Sequence, residues 1–391
     1  MFQLRPYQKQ ASDAAVRAFL GKTKKNGLLI LPTGAGKSLV IADIASRLDK
    51  PLLVFQPSKE ILQQNYAKLQ TYGITDCGCY SASVCCKNIK RITFATIGSV
   101  MNHMEDFQHF KYVIVDECHL VNAKGGQYKK FFEATDRQVI GLTATPYRLG
   151  RGLNRTSILK FLTRTRPRIF DEVLYYCQIS ELLAKGYLAD LRYFDCTQLD
   201  MNNVMTNSTG NDYDENSLKL EYERSGFYDQ LASTTLRVLK PKNGIPRKGV
   251  LVFTRFTEEA WRLTQKLQKK GINAAIVTGS TPKNEREAIL ENFKKGYIKV
   301  VSNVGVLTTG FDYPALDTVI LARPTKSLSL YYQMVGRAIR PCKGKDGWII
   351  DLGGSYRFFG KVSDLKIDLE VQGTTRWCIK SLGRQLTNIS F

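Results

Sequence analysis

The sequence predicts an α/β protein of two tandem domains, each a mainly parallel sheet flanked by helices. Short apolar runs recur through the 391-residue chain, and stretches with helical spacing separate them. Runs that are apolar at every position are typical of strands buried on both faces, as in parallel sheets covered by helices. The length also favours two domains of ordinary size, which we place at residues 1–186 and 187–391.

The candidate strands fall into two similar groups. Those of the first domain are expected at residues 28–31, 52–55, 92–95, 112–115 and 139–142. Those of the second domain are expected at residues 250–253, 274–277, 299–302, 318–321 and 348–351, with a further strand at 191–196 leading into it.

Several helices have recognisable ends. We predict helices at residues 38–48, 179–188 and 258–270, the last with acid in its first turn and Gly271 beyond its end. Another should have Thr281 as N-cap and Pro282 as its first residue, and should close at 294–296. Residues 200–229 read as a mobile loop plus one helix. The basic tail, residues 360–391 with Trp377, is expected to pack onto the second domain.

The net charge of the chain indicates which kinds of molecule it could bind. Lys and Arg number 57 against 35 Asp and Glu, a net charge of +22. Such a field favours polyanions, nucleic acid first and anionic membrane second, although a merely basic soluble surface is the plain alternative. No apolar run approaches the length of a spanning helix, so we expect a soluble cytoplasmic protein. Cys77, Cys79, Cys85 and Cys86 lack zinc-ribbon spacing and are interpreted as reduced thiols.

A glycine-bearing turn follows the first strand. Thr33-Gly34-Ala35-Gly36-Lys37-Ser38 stands between an apolar run and a predicted helix, which is the context of a phosphate-binding P-loop. Lys37 would reach the outer phosphates and the Ser38 hydroxyl would hold Mg²⁺. The first glycine of the usual pattern falls at Leu31, and an ordinary glycine turn is the alternative.

Two carboxylates follow a later strand. Val113-Ile114-Val115-Asp116-Glu117-Cys118-His119 places Asp116 and Glu117 at the carboxyl edge of a parallel sheet, where ligands bind in open α/β folds. This is the Walker B pattern. Asp116 would hold Mg²⁺, and Glu117 would orient and deprotonate the attacking water.

A pair of arginines marks the second domain. Gln333, Gly336, Arg337 and Arg340 stand at i, i+3, i+4 and i+7, so one helix face would present both guanidiniums, and Pro341 would stop that helix. Guanidinium groups stabilise charge on a transferring phosphoryl group. A surface cation pair is the alternative.

A basic run follows the first domain's last predicted strand. Residues 147–170 hold seven basic side chains and no acidic one: Arg148, Arg151, Arg155, Lys160, Arg164, Arg166 and Arg168. The run is either a solvated surface or a track for a phosphate backbone, and the sequence favours neither.

Together these motifs resemble those of superfamily 2 DExH helicases. The segments at 33–38, Asp116–His119, Thr143–Pro146 and Gln333–Arg340 are similar to motifs I, II, III and VI, in that order. Those at 5–8, 56–58, 93–98, 253–255 and 307–314 are similar to the adenine-reading element and motifs Ia, Ib, IV and V. Within the superfamily the chain is most similar to bacterial RadD-type DNA-repair helicases, without their cysteine-rich zinc module.

The resemblance implies two tandem RecA-like domains of the P-loop NTPase type, with ATP and Mg²⁺ as cofactors. It implies catalytic roles for Lys37, Asp116, Glu117, Gln333, Arg337 and Arg340, and ATP contacts from Arg5, Gln8, Thr33, Gly34, Ala35, Gly36, Ser38, Gly310 and Asp312. His119, Thr143 and Thr145 would couple phosphate state to the domain interface. Gln56, Thr96, Arg255, Thr278 and Thr308 would line a face that binds phosphates and sugars without reading sequence.

The function expected is ATP-driven movement on nucleic acid, DNA rather than RNA, by a monomer that acts in repair or recombination. A duplex translocase that does not unwind and an RNA-directed DExH ATPase are alternatives within the class. A nucleic-acid clamp whose hydrolysis only times release is an alternative from another class. A P-loop small-molecule kinase would explain neither the second sheet, nor Arg337 and Arg340, nor the charge.

Overall fold

The computed structural model describes residues 3–151, 156–240, 246–308, 310–372 and 374–389. The chain forms two compact units. Unit 1 takes its described residues from Met1–Arg148, Lys160–Gln178 and Ile367–Ile379, and unit 2 takes its own from Leu149–Leu159, Ile179–Lys366 and Lys380–Phe391. The boundary predicted at residues 186 and 187 stays a prediction.

The strands in chain order are β1 (Gly27–Ile30), β2 (Leu52–Phe55), β3 (Cys77–Ser81), β4 (Cys86–Lys87), β5 (Ile92–Ala95), β6 (Tyr112–Asp116), β7 (Gln138–Thr143), β8 (Tyr147–Arg151), β9 (Ser157–Phe161), β10 (Glu172–Tyr176), β11 (Leu191–Asp195), β12 (Val250–Thr254), β13 (Ala274–Val277), β14 (Val300–Val304), β15 (Thr318–Leu321), β16 (Gly347–Asp351), β17 (Leu365–Gln372), β18 (Thr374–Ser381) and β19 (Arg384–Gln385).

The helices are α1 (Pro6–Leu20), α2 (Lys37–Arg47), α3 (Lys59–Thr71), α4 (Ile97–Met101), α5 (Gln127–Glu133), α6 (Ile179–Ala184), α7 (Glu215–Arg224), α8 (Phe227–Leu239), α9 (Thr257–Gln268), α10 (Lys283–Lys294), α11 (Leu328–Val335) and α12 (Ser355–Phe359).

Unit 1 is built on an eight-stranded sheet with the order β10-β1-β7-β6-β2-β5-β3-β4. Its pairs are parallel except β3 with β4. Strands β1, β2, β5 and β7 are buried at every residue, as expected of a sheet covered on both faces. The five predicted strands are confirmed. The sequence analysis did not predict β3, β4 and β10, because β3 reads Cys-Gly-Cys-Tyr-Ser and β10 is a half-buried edge strand.

Unit 2 is built on a six-stranded parallel sheet with the order β11-β16-β15-β12-β14-β13. All six predicted strands are present, so the predicted α/β class is confirmed for both units. Helices α7 and α8 pack over this sheet through a core centred on Tyr222 and Phe227, whose rings stack 4.1 Å apart. The region 200–229 therefore contains α7 and the start of α8 rather than one helix.

The N-cap predicted at Thr281 is wrong. Helix α10 begins at Lys283, and Pro282 is its N-cap residue, with an extended backbone. The Thr281 hydroxyl accepts a hydrogen bond from the Thr278 amide at 2.9 Å, so it closes the preceding turn instead of capping the helix.

The assignment of the tail to the second domain is wrong for residues Ile367–Ile379. This segment belongs to unit 1. The Trp377 ring lies parallel to Phe161 at a 6.5 Å centroid distance and meets Tyr176 edge-on at 5.2 Å. The Ile367 amide and carbonyl both bond the side chain of Gln178. The aromatic contacts of Trp377 thus hold the segment on unit 1, and the composition of the tail does not indicate which unit it packs against.

Among the described residues, no helix is both long and apolar enough to span a bilayer.

Candidate nucleotide site and arginine turn

The glycine turn after β1 has the backbone that a phosphate loop requires. Gly34 and Gly36 have φ angles of 84° and 77°, a region that residues with a Cβ atom rarely adopt. Gly36 is the N-cap of α2, so the first amide groups of that helix face the turn. The Leu31 amide bonds the Thr143 carbonyl at 3.0 Å, which continues the β1 to β7 ladder. The chain therefore runs from β1 through Leu31 straight into a tight turn.

Residues at the start of α1 form hydrogen bonds that fix the position of this loop. The Ala35 carbonyl accepts hydrogen bonds from the Tyr7 hydroxyl at 2.9 Å and from Gln8 Nε2 at 2.8 Å. Gln8 Oε1 accepts from the Arg5 amide at 2.9 Å, and the Gln8 side chain is buried. The structure thus places Gln8 against the loop, and it adds Tyr7, whose role the sequence analysis missed although it stands beside Gln8.

Strand β6 brings the predicted acids to the same edge of the sheet. In unit 1 the neighbours β6, β7 and β1 run parallel, so their carboxyl ends meet. Lys37 Nζ lies 3.1 Å from Glu117 Oε1. The Glu117 backbone has φ 48°, a strained value for a residue other than glycine, and its amide donates to Asp116 Oδ1 at 2.9 Å. The turn therefore aims both carboxylates at the region of Lys37.

Asp116 is only 5% exposed, and its environment opposes its charge. Burial, followed by the neighbouring Glu117, raises the pKa of Asp116 to about 7, and Lys37 works against that rise. A bound cation would compensate this buried carboxylate. The Asp116 carboxylate and the Ser38 hydroxyl are oxygen ligands of the kind that Mg²⁺ prefers, so the residues present fit a magnesium ion.

The predicted coupling residues contact one another. His119 Nδ1 lies 3.0 Å from Thr143 Oγ1 and 3.4 Å from Glu117 Oε2. Thr143 Oγ1 in turn accepts from the Thr145 amide at 2.9 Å. Burial lowers the pKa of His119, so its ring is neutral near pH 7 and can link the two hydroxyls to Glu117. The network gives a physical path from the acidic strand end to β7.

The prediction that one helix carries both arginines is wrong, because the helix ends before them. Helix α11 ends at Val335, with Gly336 as its C-cap, and Arg337 and Arg340 follow in a turn. The Arg337 amide bonds the Met334 carbonyl and the Ala338 amide bonds Val335, an i to i−3 pattern that tightens the chain. The proline that follows Arg340 also disfavours helical backbone there.

Both guanidiniums nevertheless converge on one backbone group. Nη1 of Arg337 and Nη1 of Arg340 donate to the Phe311 carbonyl at 2.6 and 3.1 Å, and Arg340 also forms an ion pair with Asp312. Burial lowers the pKa of Arg340, and Asp312 opposes that shift. We call residues 336–340 the arginine turn.

Two other predicted residues lie beside the arginine turn. The Gln333 carbonyl accepts from Arg337 Nε at 3.4 Å. Gly310 has φ 75° and stands next to Phe311. Residue 309, which the motif resemblance includes, lies outside the described residues. Within unit 2 the structure thus brings Gly310, Asp312 and Gln333 together with the two arginines.

The residues predicted to contact nucleic acid are distributed over both units. In unit 1, Gln56 and Thr96 follow the neighbouring strands β2 and β5. Gln56 Oε1 accepts from Asn65 at 3.0 Å, and Thr96 Oγ1 lies 3.0 Å from Ser99 Oγ. In unit 2, Thr278 contacts Ser280 at 2.9 Å and Thr308 is half-buried.

Arg255 is a predicted nucleic-acid residue whose side chain is held by two carboxylates. Its guanidinium forms ion pairs with Asp212 at 3.2 Å and Glu215 at 3.1 Å. Contact with a phosphate would have to compete with both carboxylates. The five nucleic-acid assignments stay predictions.

Two segments of the chain match known domain families. Residues 1–148 match the type III restriction enzyme res subunit, and residues 233–342 match the helicase conserved C-terminal domain. A 51.5 kDa protein of a Lactococcus phage is 28% identical over 82% of this chain and 64% of its own length. The DNA 3'-5' translocase XPB2 of Sulfurisphaera tokodaii is 25% identical over 90% of this chain and 81% of its own length.

Among solved structures, the ATP-dependent Type ISP restriction-modification enzyme LlaBIII bound to DNA matches with a TM-score of 0.67 and 20% identity. The match covers 90% of this chain and 28% of that one, and it shows a common fold. The chain spans 52% to 64% of the length of several curated relatives that it matches.

The fold is that of proteins with two RecA-like α/β units, as predicted. The chain carries the two matched domains, and its homologues are superfamily 2 helicases. Its Asp116-Glu117-Cys118-His119 segment has the DExH form. The predicted superfamily is therefore confirmed. The closer likeness to RadD-type helicases stays a prediction.

Proposed function

We propose that this protein hydrolyses ATP to move along or remodel nucleic acid, as a DNA helicase or translocase. The observation that carries the proposal is the convergence of Lys37, Asp116 and Glu117 beside the glycine turn of unit 1. A cation, two carboxylates and helix-end amides at one sheet edge are the parts needed to bind nucleotide phosphates and activate water.

In this proposal, Lys37 and the amides of residues 33–38 bind the phosphates, while Ser38 and Asp116 hold Mg²⁺. An Mg²⁺ ion held there would supply positive charge that offsets the charge of the phosphates. Lys37 pairs with Glu117 in the structure. Phosphates would compete for Lys37 and leave the Glu117 carboxylate available to take a proton from the attacking water. Arg337 and Arg340 are assigned to the charge that develops on the transferred phosphoryl group, with Gln333 positioning them.

DNA is the proposed partner because several observations agree on it. The net charge of +22 favours a polyanion. One relative is named a DNA 3'-5' translocase, and one structural relative was solved bound to DNA. The finer proposal is a role in DNA repair or recombination.

The test is the ATPase rate with no nucleic acid and then with single-stranded DNA, duplex DNA, forked DNA or RNA. We expect stimulation by DNA, about tenfold or more, because binding should favour the catalytic state. Glu117→Gln is the matched variant, and it should still bind ATP without hydrolysing it, since it keeps Lys37 and Asp116. No stimulation by any of the four would remove the motor proposal.

The same substrates separate the variants of the proposal. Stimulation by RNA alone would support an RNA-directed enzyme. Displacement of a strand from 3′-tailed, 5′-tailed or forked duplexes would support a helicase with a defined polarity. Stimulation by duplex DNA without displacement would support a translocase, and hydrolysis that only changes the release rate would support a clamp.

A further inference from the structure

The part of the basic run from residue 160 onward belongs to unit 1, and its three arginines have no assigned role in the nucleotide site. Arg166 and Arg168 are exposed and Arg164 is half-buried. Arg155 and the side chain of Arg151 lie outside the described residues. We call Arg164, Arg166, Arg168 and Arg376 the Arg164 cluster.

Arg376 belongs to the tail segment that packs on unit 1. Trp377, the next residue, packs against Phe161 and Tyr176, and both of these rings belong to the same unit as Arg164, Arg166 and Arg168. Arg376 then lies close enough to Arg164 for their charges to interact. A segment more than two hundred residues away in sequence thus adds a fourth cation to a run that already holds three.

The three arginines of the basic run are not paired with carboxylates in the described residues. Within the described part of the chain, Arg164, Arg166 and Arg168 form no ion pair, and Arg166 donates only to the neighbouring Thr165 carbonyl. Burial and then the three other arginines lower the pKa of Arg164, while Glu370 opposes that shift. By contrast, Arg91 of the same unit is paired with Asp76 at 3.0 Å. Three arginines grouped in this way without ion pairs repel one another unless an anion is bound.

We propose that the Arg164 cluster is a second contact for the phosphate backbone of a nucleic acid, separate from the nucleotide site and from the predicted strand-binding residues. The proposal rests on the proposed function only in taking nucleic acid as the partner. Arginine suits phosphate because its planar fork donates two parallel hydrogen bonds to phosphate oxygens. Tyr176, 40% exposed beside Trp377, offers an aromatic edge next to the cations.

The test compares the salt dependence of binding for two matched triple variants. Arg164→Gln/Arg166→Gln/Arg168→Gln removes three charges from the cluster. Lys22→Gln/Lys25→Gln/Lys111→Gln removes three exposed charges elsewhere on unit 1. Dissociation constants are measured from 50 to 200 mM salt with single-stranded DNA, duplex DNA and RNA. Circular dichroism and the melting temperature establish that both variants are folded.

Loss of three phosphate contacts should lower the slope of log K against log salt by about 2 to 3 and should weaken binding about tenfold or more near 100 mM salt. The lysine variant should stay close to wild type. Arg164→Lys/Arg166→Lys/Arg168→Lys should restore most of the slope, since it restores the charges. Whichever nucleic acid shows the difference identifies the strand form that the cluster contacts.

Equal slopes and affinities for the two glutamine variants would overturn the inference while leaving the proposed function intact, provided that wild type binds. Wild-type protein that binds none of the three nucleic acids would overturn both. A loss of affinity that lysine substitution does not restore would assign the arginines to folding of this surface and would also overturn the inference.

Discussion

In each unit, one strand of the sheet ends at a buried aspartate. The two carboxylates differ in their hydrogen-bond partners and in the charges beside them. Asp351, at the end of β16, is fully buried, and its carboxylate accepts backbone hydrogen bonds from Gly353, Gly354 and Tyr356. Asp116, at the end of β6, is nearly as buried but accepts the Glu117 amide and lies beside a second carboxylate.

The difference separates a structural acid from a candidate functional one. Burial raises both pKa values, that of Asp351 to about 6 and that of Asp116 to about 7. For Asp351, the three amides oppose the rise and fix the turn into α12. For Asp116, the opposing charge is Lys37, a side chain that a phosphate group would also attract. Backbone amides of unit 2 thus satisfy the Asp351 carboxylate. The Asp116 carboxylate of unit 1 accepts fewer backbone hydrogen bonds and could bind a cation.

The largest effect is expected from Lys37→Ala. This change removes the cation beside Glu117 and the proposed phosphate ligand, so the ATPase rate should fall by about a thousandfold or more. The melting temperature should also fall, because the Lys37 side chain is only 13% exposed and its removal leaves Glu117 without this ion-pair partner. Steady-state ATPase assays and thermal unfolding check both parts. An ATPase rate within tenfold of wild type would mean that the unit 1 cluster is not the hydrolytic site.

The variants Asp116→Asn and Asp351→Asn test whether Asp116 acts in hydrolysis and Asp351 in stability. Asp116→Asn should reduce the ATPase rate by about a hundredfold or more while leaving stability within about 1 kcal/mol, since it removes an uncompensated buried charge. Asp351→Asn should cost about 1 to 3 kcal/mol of stability, because its amide nitrogen cannot accept the Tyr356 amide proton. Urea unfolding and ATPase rates are measured for both. Equal losses of stability would break the distinction.

Removal of a guanidinium from the arginine turn should act on rate more than on affinity. Arg337→Ala and Arg340→Ala should each lower kcat by about tenfold to a thousandfold while nucleotide affinity changes about threefold or less. Arg255→Ala is the matched control from unit 2, since that arginine is paired with Asp212 and Glu215 and has no proposed role in hydrolysis. Unaltered kcat in both arginine-turn variants would remove them from the catalytic role.

Most of the fold was predictable because local patterns determine it. The buried strands are mainly apolar, the P-loop follows β1, and the acid pair stands at the end of β6. Strand β3 was missed because cysteine and glycine carry no clear strand signal, although its five residues are all buried. The end of α11 could not be predicted, since the bonds of Arg337 and Arg340 to Phe311 join residues far apart in the sequence. The same holds for Trp377, whose partners Phe161 and Tyr176 only the fold identifies.

The last prediction concerns another buried acid, Glu259 of unit 2. One carboxylate oxygen accepts the Arg255 and Phe256 amides, while Oε1 is buried without a partner in the described structure. Burial raises the pKa of Glu259 to about 8. Between pH 4.5 and 8 the folded state therefore holds a proton that the unfolded state releases, so stability falls as pH rises through this window. Glu259→Gln should remove that loss, on the order of a few kcal/mol.

The check is urea unfolding of wild type and Glu259→Gln at pH 5, 6, 7 and 8, followed by tryptophan fluorescence. Trp261 and Trp348 both lie in unit 2 and report on it. The difference in free energy of unfolding between the two proteins should shift in favour of Glu259→Gln as pH rises. Contributions from Asp116 and Asp351 are present in both proteins and cancel in this difference. Parallel curves would show that Glu259 is ionised in the folded state, as an acid fully satisfied by its neighbours would be.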